Sequence, residues 1–436
     1  MPFKVTGAMR ERDGGTGIVD SLAFAALVAF CALTYVVPAE WLTELAPLRL
    51  ALATSAAALM LLLVARVGRG QGLSLDGWRG GALIAFTVLT LVSSLWSLAP
   101  EASRSLGLEC VKYVGIYLTI VNLARTRRRL AILCGVLVLA SVVTSVGALR
   151  WYLSGQDLVE GYRARWVGLY ADPNRMAMTL GLVVPLGLAF LARKTQGWTM
   201  RALCGAAVAV AVAAIVLSYS RGGFAGLAVA TAVWAMREKR LDRALVVALA
   251  GVALFALAPS SFWSRTQTVS SFRDDASAMG RVHAWTVASR INADRPLLGR
   301  GAGTFRAAWP LYAPPDARRA YEAHNVFLQV LAELGWIGLF LFLGFVGSGL
   351  EGALKASRDA EVGWLACALA AAAAGYLVCS VSAGFLGGSA HFYVLFGLAA
   401  AAHRLSQRAP AAARAPEGLG APVPAPRLEL GAGVAR

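Results

Sequence analysis

Runs of close to twenty apolar residues recur along this chain, and a run of that length has few homes other than a lipid bilayer. Twelve are expected to span as helices: Ile18 to Val37, Leu50 to Val67, Gly80 to Leu98, Ser105 to Leu123, Leu130 to Leu149, Met176 to Leu191, Ala202 to Tyr219, Gly222 to Met236, Ala244 to Ala258, Val326 to Leu350, Glu361 to Ser382 and His391 to His403. The eighth, ninth and twelfth are short for a hydrocarbon core of about 30 Å. Composition agrees, since 58% of the 436 residues are hydrophobic and 15% are charged, against roughly a quarter charged in a soluble domain. The expected fold class is therefore all-α, a polytopic membrane protein with about 12 transmembrane helices and one large, partly helical outer loop.

The expected organisation follows from these runs. Residues 1–17 form a polar tail and 18–258 carry helices one to nine. Residues 259–323 form the outer loop, 324–403 carry helices ten to twelve, and 404–436 form a disordered tail rich in Ala, Pro and Gly. No small-residue cleavage pattern follows the first run, so it is expected to remain as a helix. All six cysteines fall inside apolar runs without CxxC spacing, which makes them small buried hydrophobes rather than disulfide or zinc ligands.

Net charge is +17, yet the excess sits in short loops between apolar runs, a pattern of topology and not of a nucleic-acid-binding face. With the N-terminus in the cytoplasm, the cytoplasmic tails and loops hold 24 of the 41 basic residues, including "ARTRRR" and "MREKRLDR". The other side holds 16, nine of them in the long loop, and Lys112 is intramembrane. Short loops decide orientation, and they favour this one.

The sixteen outer basic residues are all arginine. Arg221 lies in "SYSRGGFAG", a sharp break between two spanning runs. It reads either as a snorkelling arginine closing a hairpin or as a guanidinium that grips phosphate oxygens bidentately. Arg281, in "GRVHAW", opens a loop helix with Val282, Trp285, Val287, Ala288 and Ile291 on its apolar face, ended by Pro296, after which "GRGAGTF" makes a glycine turn. The loop holds nine arginines, Arg265 and Arg300 among them, against five carboxylates. It is either a receptor for an anionic ligand or a lid held by Arg-carboxylate pairs.

In "EAHNVFLQVLAELGW", His324 precedes a spanning helix, and Asn325, Gln329 and Glu333 repeat every four residues beneath it. That stripe either bonds helices together or lines a cavity. In "YADPN", Asp172 and Asn174 flank a helix-starting proline, which reads locally as an N-cap. Glu109 and Lys112 lie three apart within one spanning run, so a transporter of an anionic solute stands as an alternative. No HExxH or DxD is present, and no metal site or cofactor is expected.

Taken in order, "GLYADPNRMA", "SYSRGG", "GRVHAWTVASRINADRPLLGRGAGTF" and "AHNVFLQVLAELGWIGL" resemble the bacterial O-antigen ligase and polymerase superfamily, from Gly168 to about Phe340. The resemblance implies an inner-membrane glycosyltransferase working at the periplasmic face, with both termini cytoplasmic. Such enzymes move a glycan from undecaprenyl pyrophosphate to a sugar hydroxyl, without a metal or a nucleotide sugar. The acceptor is lipid A-core for ligases, a growing lipid-linked polysaccharide for polymerases, and a protein side chain for related oligosaccharyltransferases. Expected partners are thus the lipid-linked donor, the acceptor glycan, the bilayer and other polysaccharide assembly proteins, with no nucleic acid. The essential histidine of the family matches His324 and its essential arginines match Arg221 and Arg281. Arg300 and Arg265 extend the expected pyrophosphate site, with Asp172, Asn174, Asn325, Gln329 and Glu333 in support. One base and no evident protein nucleophile imply direct displacement with inversion at the anomeric carbon.

Overall fold

A computed structural model describes residues 17–239, 276–317, 319–383 and 389–408. Among these residues the chain is helical with no strand beyond an isolated bridge between Val159 and Arg163. The helices are α1 (Ile18–Val36), α2 (Leu50–Val67), α3 (Gly77–Val92), α4 (Pro100–Leu123), α5 (Arg127–Leu153), α6 (Pro173–Ala192), α7 (Trp198–Leu217), α8 (Arg221–Glu238), α9 (Ala276–Asp294), α10 (Phe305–Tyr312), α11 (Val326–Ala356), α12 (Gly363–Ala383) and α13 (Ala390–Ser406).

Eleven of the twelve expected spans coincide with helices, and the ninth, Ala244 to Ala258, lies outside the described residues. Nine helices among the described residues are long and apolar enough to cross a bilayer. The protein is an integral membrane protein of all-α class. The two remaining helices that match expected spans, α8 and α13, fall below that measure; α13, at 17 residues, is short for a span. Apolar side chains such as Met60, Val64, Phe340 and Leu343 are exposed on the outside of the bundle, as lipid-facing residues must be.

Side-chain contacts sort the helix ends into two groups. At one end, buried Asp20 accepts from Arg125 at 2.7 Å and pairs with Arg129 at 2.8 Å, tying the start of α1 to the start of α5. Asn122 there bonds Ser74, closing α4 on the α2–α3 connection. At the opposite end, the starts of α4, α6, α8 and α11 meet the loops before them. Small residues let the bundle close: Gly226 of α8 and Gly375 of α12 face each other so closely that a Cβ on Gly375 would fall 2.5 Å from the Gly226 carbonyl oxygen.

The segment before α11 folds as a lid on that opposite end. Ala284, Val287, Ala288 and Ile291 of α9 pack with Phe305, Ala308 and Trp309 of α10 and with Ala332 of α11. This corrects the expected apolar face: the inward stripe runs through Ala284, Val287, Ala288 and Ile291, whereas Trp285 is exposed. Between α9 and α10 the chain crosses α11 at a break. Gly335 has φ 65 and ψ −164, and the amides of Trp336 and Ile337 donate to the Pro296 and Leu297 carbonyls. A Cβ at Gly335 would fall 2.2 Å from the carbonyl carbon of Leu297, so glycine is required for the lid to lie in this notch.

Candidate active site

Three helices begin at the lid end with side-chain caps on their first amides. Asp172 accepts from the amides of Asn174 at 2.7 Å and Arg175 at 3.3 Å at the start of α6. Ser220 accepts from Gly223 at the start of α8. Asn325 accepts from Phe327 and Leu328 at the start of α11. The caps account locally for three polar residues of the sequence motifs. They also aim three positive helix ends at one region.

The residues just before two of these caps adopt the same unusual backbone. Tyr219 has φ 48 and His324 has φ 48, the left-handed region that non-glycine residues seldom occupy. Such strain costs of order 1–3 kcal/mol per residue and persists where surrounding structure over-determines it, most often at functional sites. Here the turn places Arg221 on the first residue of α8, exposed at the rim, and sets His324 immediately before the Asn325 cap of α11.

Arg163 joins two of the motif loops. It is largely buried, its Nε donates to the Ser218 carbonyl at 2.9 Å and its Nη2 donates to Asn174 Oδ1 at 2.9 Å. Burial pulls its guanidinium below the ordinary arginine value; Arg221 nearby adds to this, while Tyr162 and Asp172 oppose it. Arg175 Nη2 pairs with Glu322 at 3.0 Å, bringing the start of α6 to within two residues of His324. Burial lowers the pKa of His324 from 6.5; Arg281 and Arg175 push the same way, and Glu322 and Asp172 push back. Asp172 therefore lies within electrostatic reach of both Arg163 and His324.

Arg281 and Arg175 thus act on His324 directly, while Arg221 acts on Arg163, and Asp172 links the two groups; Glu322 and Glu160 are the other balancing carboxylates. Arg163 and Arg175 were not among the residues expected from the sequence. Both stand in the "YRARWVGLYADPNR" loop, and the signal was their position on either side of the Asp172 cap.

The remaining expected residues that the structure describes have other partners. Arg300 bonds Asp294 and donates from Nε to the Tyr312 hydroxyl at 2.7 Å, and the hydroxyl donates to Asp294 at 2.5 Å. That knot fastens α9 to α10. Glu333 is buried and accepts from the amides of Gly303 at 2.7 Å and Phe305 at 3.2 Å, and from Gln329 Nε2 at 3.2 Å. The polar stripe under His324 therefore bonds the glycine turn to α11. Arg265 lies outside the described residues. Glu109 and Lys112 bond each other on the outer surface of α4, each side chain more than two-fifths exposed, so the pair does not line an interior path. Among the described residues, no three His, Cys, Asp or Glu side chains gather in a way that could hold a metal ion.

The fold and these residues define a polytopic all-α membrane protein whose polar, cation-rich centre lies at one end of the bundle under a helical lid. Comparison with known proteins shows what the chain is similar to. Residues 206–343, from α7 through the lid into α11, match the family described as O-antigen ligase. The resemblance to the O-antigen ligase and polymerase superfamily is borne out. The chain is also 23% identical over 295 residues to the exopolysaccharide production protein ExoQ of Rhizobium meliloti (strain 1021), a match spanning 63% of this chain and 65% of that protein.

Proposed function

We propose that this protein is a glycosyltransferase of surface polysaccharide biosynthesis, joining a glycan carried on undecaprenyl pyrophosphate to a sugar hydroxyl at the periplasmic face of the inner membrane. The observation that carries the reading is a half-buried, neutral-leaning histidine under the influence of Arg281 and Arg175, joined through Asp172 to the neighbouring Arg163 and Arg221, at the capped starts of three helices.

Each part of the reaction has a matching group. The acceptor hydroxyl loses a proton as its oxygen attacks the anomeric carbon, and neutral His324 takes that proton. The bond from the anomeric carbon to the pyrophosphate oxygen breaks, and negative charge collects on the leaving group. Arg221 and Arg281 receive that charge through guanidinium hydrogen bonds, with the three helix starts adding to the local positive potential. Arg163 and Arg175 hold the surrounding loops in register. Arg300 is reassigned from the donor site to the lid. With a single base and a direct displacement, the product glycosidic bond has inverted configuration.

The name of the Rhizobium relative favours an exopolysaccharide as product, and the O-antigen ligase family favours joining of preformed glycans. Ligase and polymerase use the same donor and differ in acceptor. Deleting the gene and sizing the surface glycans separates them. Single units still attached, with long chains lost, indicates a polymerase. Loss of all attachment to lipid A-core indicates a ligase, and an unchanged glycan profile contradicts both. The transporter alternative is not favoured, because the Glu109–Lys112 pair faces outward.

A further inference from the structure

A cavity of about 460 Å³ opens at the end of the bundle away from His324, between the start of α3 and the last turns of α11 and α13. Its charged lining is Asp76, Arg79, Glu351, Lys355 and Arg404. Arg79 pairs with Asp76 at 2.9 Å and Lys355 with Glu351 at 2.6 Å, which leaves Arg404 as the excess cation. Arg404 donates to the Val121 carbonyl at 3.1 Å and has no carboxylate within ion-pair distance among the described residues.

Two further features turn donors toward this space. The N-cap residue of α3, Asp76, makes no side-chain bond to the helix's first amides, and the first three residues of α3, Gly77, Trp78 and Arg79, all line the cavity. His403, also in the lining, is nine-tenths buried, and its Nδ1 has no hydrogen-bond partner. With the Gln407 amide donating to Nε2 at 2.9 Å, the ring proton sits on Nδ1, which feels the Gly352 backbone without reaching good hydrogen-bond geometry. A guanidinium in excess, an uncapped helix start and an under-satisfied imidazole N–H all favour an anionic oxygen.

We propose that this cavity is a second, non-catalytic site that binds a phosphate group, presented by the headgroup of an anionic phospholipid. Trp78 is exposed at the rim, where an indole marks the level of lipid headgroups, and basic pockets between helix ends suit such headgroups. A bound phosphate would bridge α3, α11 and α13, bracing the far end of the helix that carries Asn325 and His324 at its start.

Native mass spectrometry of the full-length protein, titrated with phosphatidylglycerol, phosphatidylcholine or inorganic phosphate, tests this. Wild type is expected to retain one phosphatidylglycerol that phosphatidylcholine does not replace. Arg404→Gln combined with Lys355→Gln should weaken retention by roughly 30-fold, near 1 kcal/mol per lost cation. Arg404→Lys should keep most of it. Should the double variant fail to fold, Lys355→Gln alone changes a surface-exposed residue and should still weaken retention about fivefold. Inorganic phosphate binding as tightly as the lipid, and lost in the same variants, would uphold the phosphate site and assign it to a soluble ligand. Equal retention of both lipids, or equal retention by wild type and variants, would overturn the proposal.

Discussion

Arg175 and Glu322 form a 3.0 Å ion pair that joins the first turn of α6 to the strand of chain leading into His324. The two residues are 147 positions apart in sequence, and both act on the imidazole electrostatically, Glu322 raising its pKa and Arg175 lowering it. The pair is therefore a means of setting the protonation state of the proposed base.

A signed pH response follows. Burial and then Arg281 hold the His324 pKa below 6.5, so the ring is neutral at pH 7 and the acid limb of kcat/KM should fall below about pH 6.5. Glu322→Gln removes a group that favours the imidazolium, so the limb should move to lower pH. Arg175→Gln removes a group that disfavours it and frees the carboxylate, so the limb should move higher. Rate-against-pH profiles of the three proteins check this, and a limb that moves up in Glu322→Gln or down in Arg175→Gln would disprove the electrostatic assignment.

Arg221→Lys keeps a charge at the start of α8 and loses the planar fork. A donor held bidentately should then lose on the order of tenfold or more in kcat/KM, with insertion and folding unchanged. Full activity of Arg221→Lys would mean that the pyrophosphate needs no forked contact there.

Arg163 ties the Ser218 carbonyl to Asn174 and touches both loops without standing at the rim. Arg163→Lys cannot make both bonds, and a buried carbonyl or amide left unpaired costs about 1–3 kcal/mol. The expected result is a lower melting temperature together with a rise in donor KM. A variant with wild-type melting and wild-type KM would remove Arg163 from the positioning role.

Gly335→Ala should prevent the lid from seating. The residue sits at φ 65 with the Leu297 backbone against it, so both strain and collision oppose a side chain, at about 2 kcal/mol or more. Limited proteolysis between α9 and α11 should become faster in this variant. Unchanged cleavage would show that the lid is not held at this notch.

Most of the architecture was legible because spanning helices announce themselves by length and apolarity, without help from distant residues. Asp172 and Pro173 were equally legible, since capping is local chemistry, whereas Asn325 was read only as part of the polar stripe and proves to cap α11. Arg300 was not. Its charge and its place in a basic loop suggested phosphate, and only the approach of Asp294 and Tyr312 shows that its Nε and one Nη are engaged within the lid. Glu333 was read as either glue or cavity lining, and the choice depended on a glycine turn thirty residues earlier folding back over α11. Arg163 went unremarked for the same reason: its partners lie 55 and 11 positions away. Patterns along the chain reveal which groups are present, and tertiary contacts decide which of them remain available to a ligand.

The central claim is that His324 deprotonates an acceptor hydroxyl while the arginines hold the leaving pyrophosphate. Purified protein should be incubated with a glycan on undecaprenyl pyrophosphate and an acceptor sugar, with a chelator present, and the joined product examined by NMR at the new anomeric carbon. The account predicts a covalent product of inverted configuration from wild type, and a loss of roughly 10²- to 10⁴-fold in His324→Ala. A retained configuration, or wild-type turnover by His324→Ala, would contradict it.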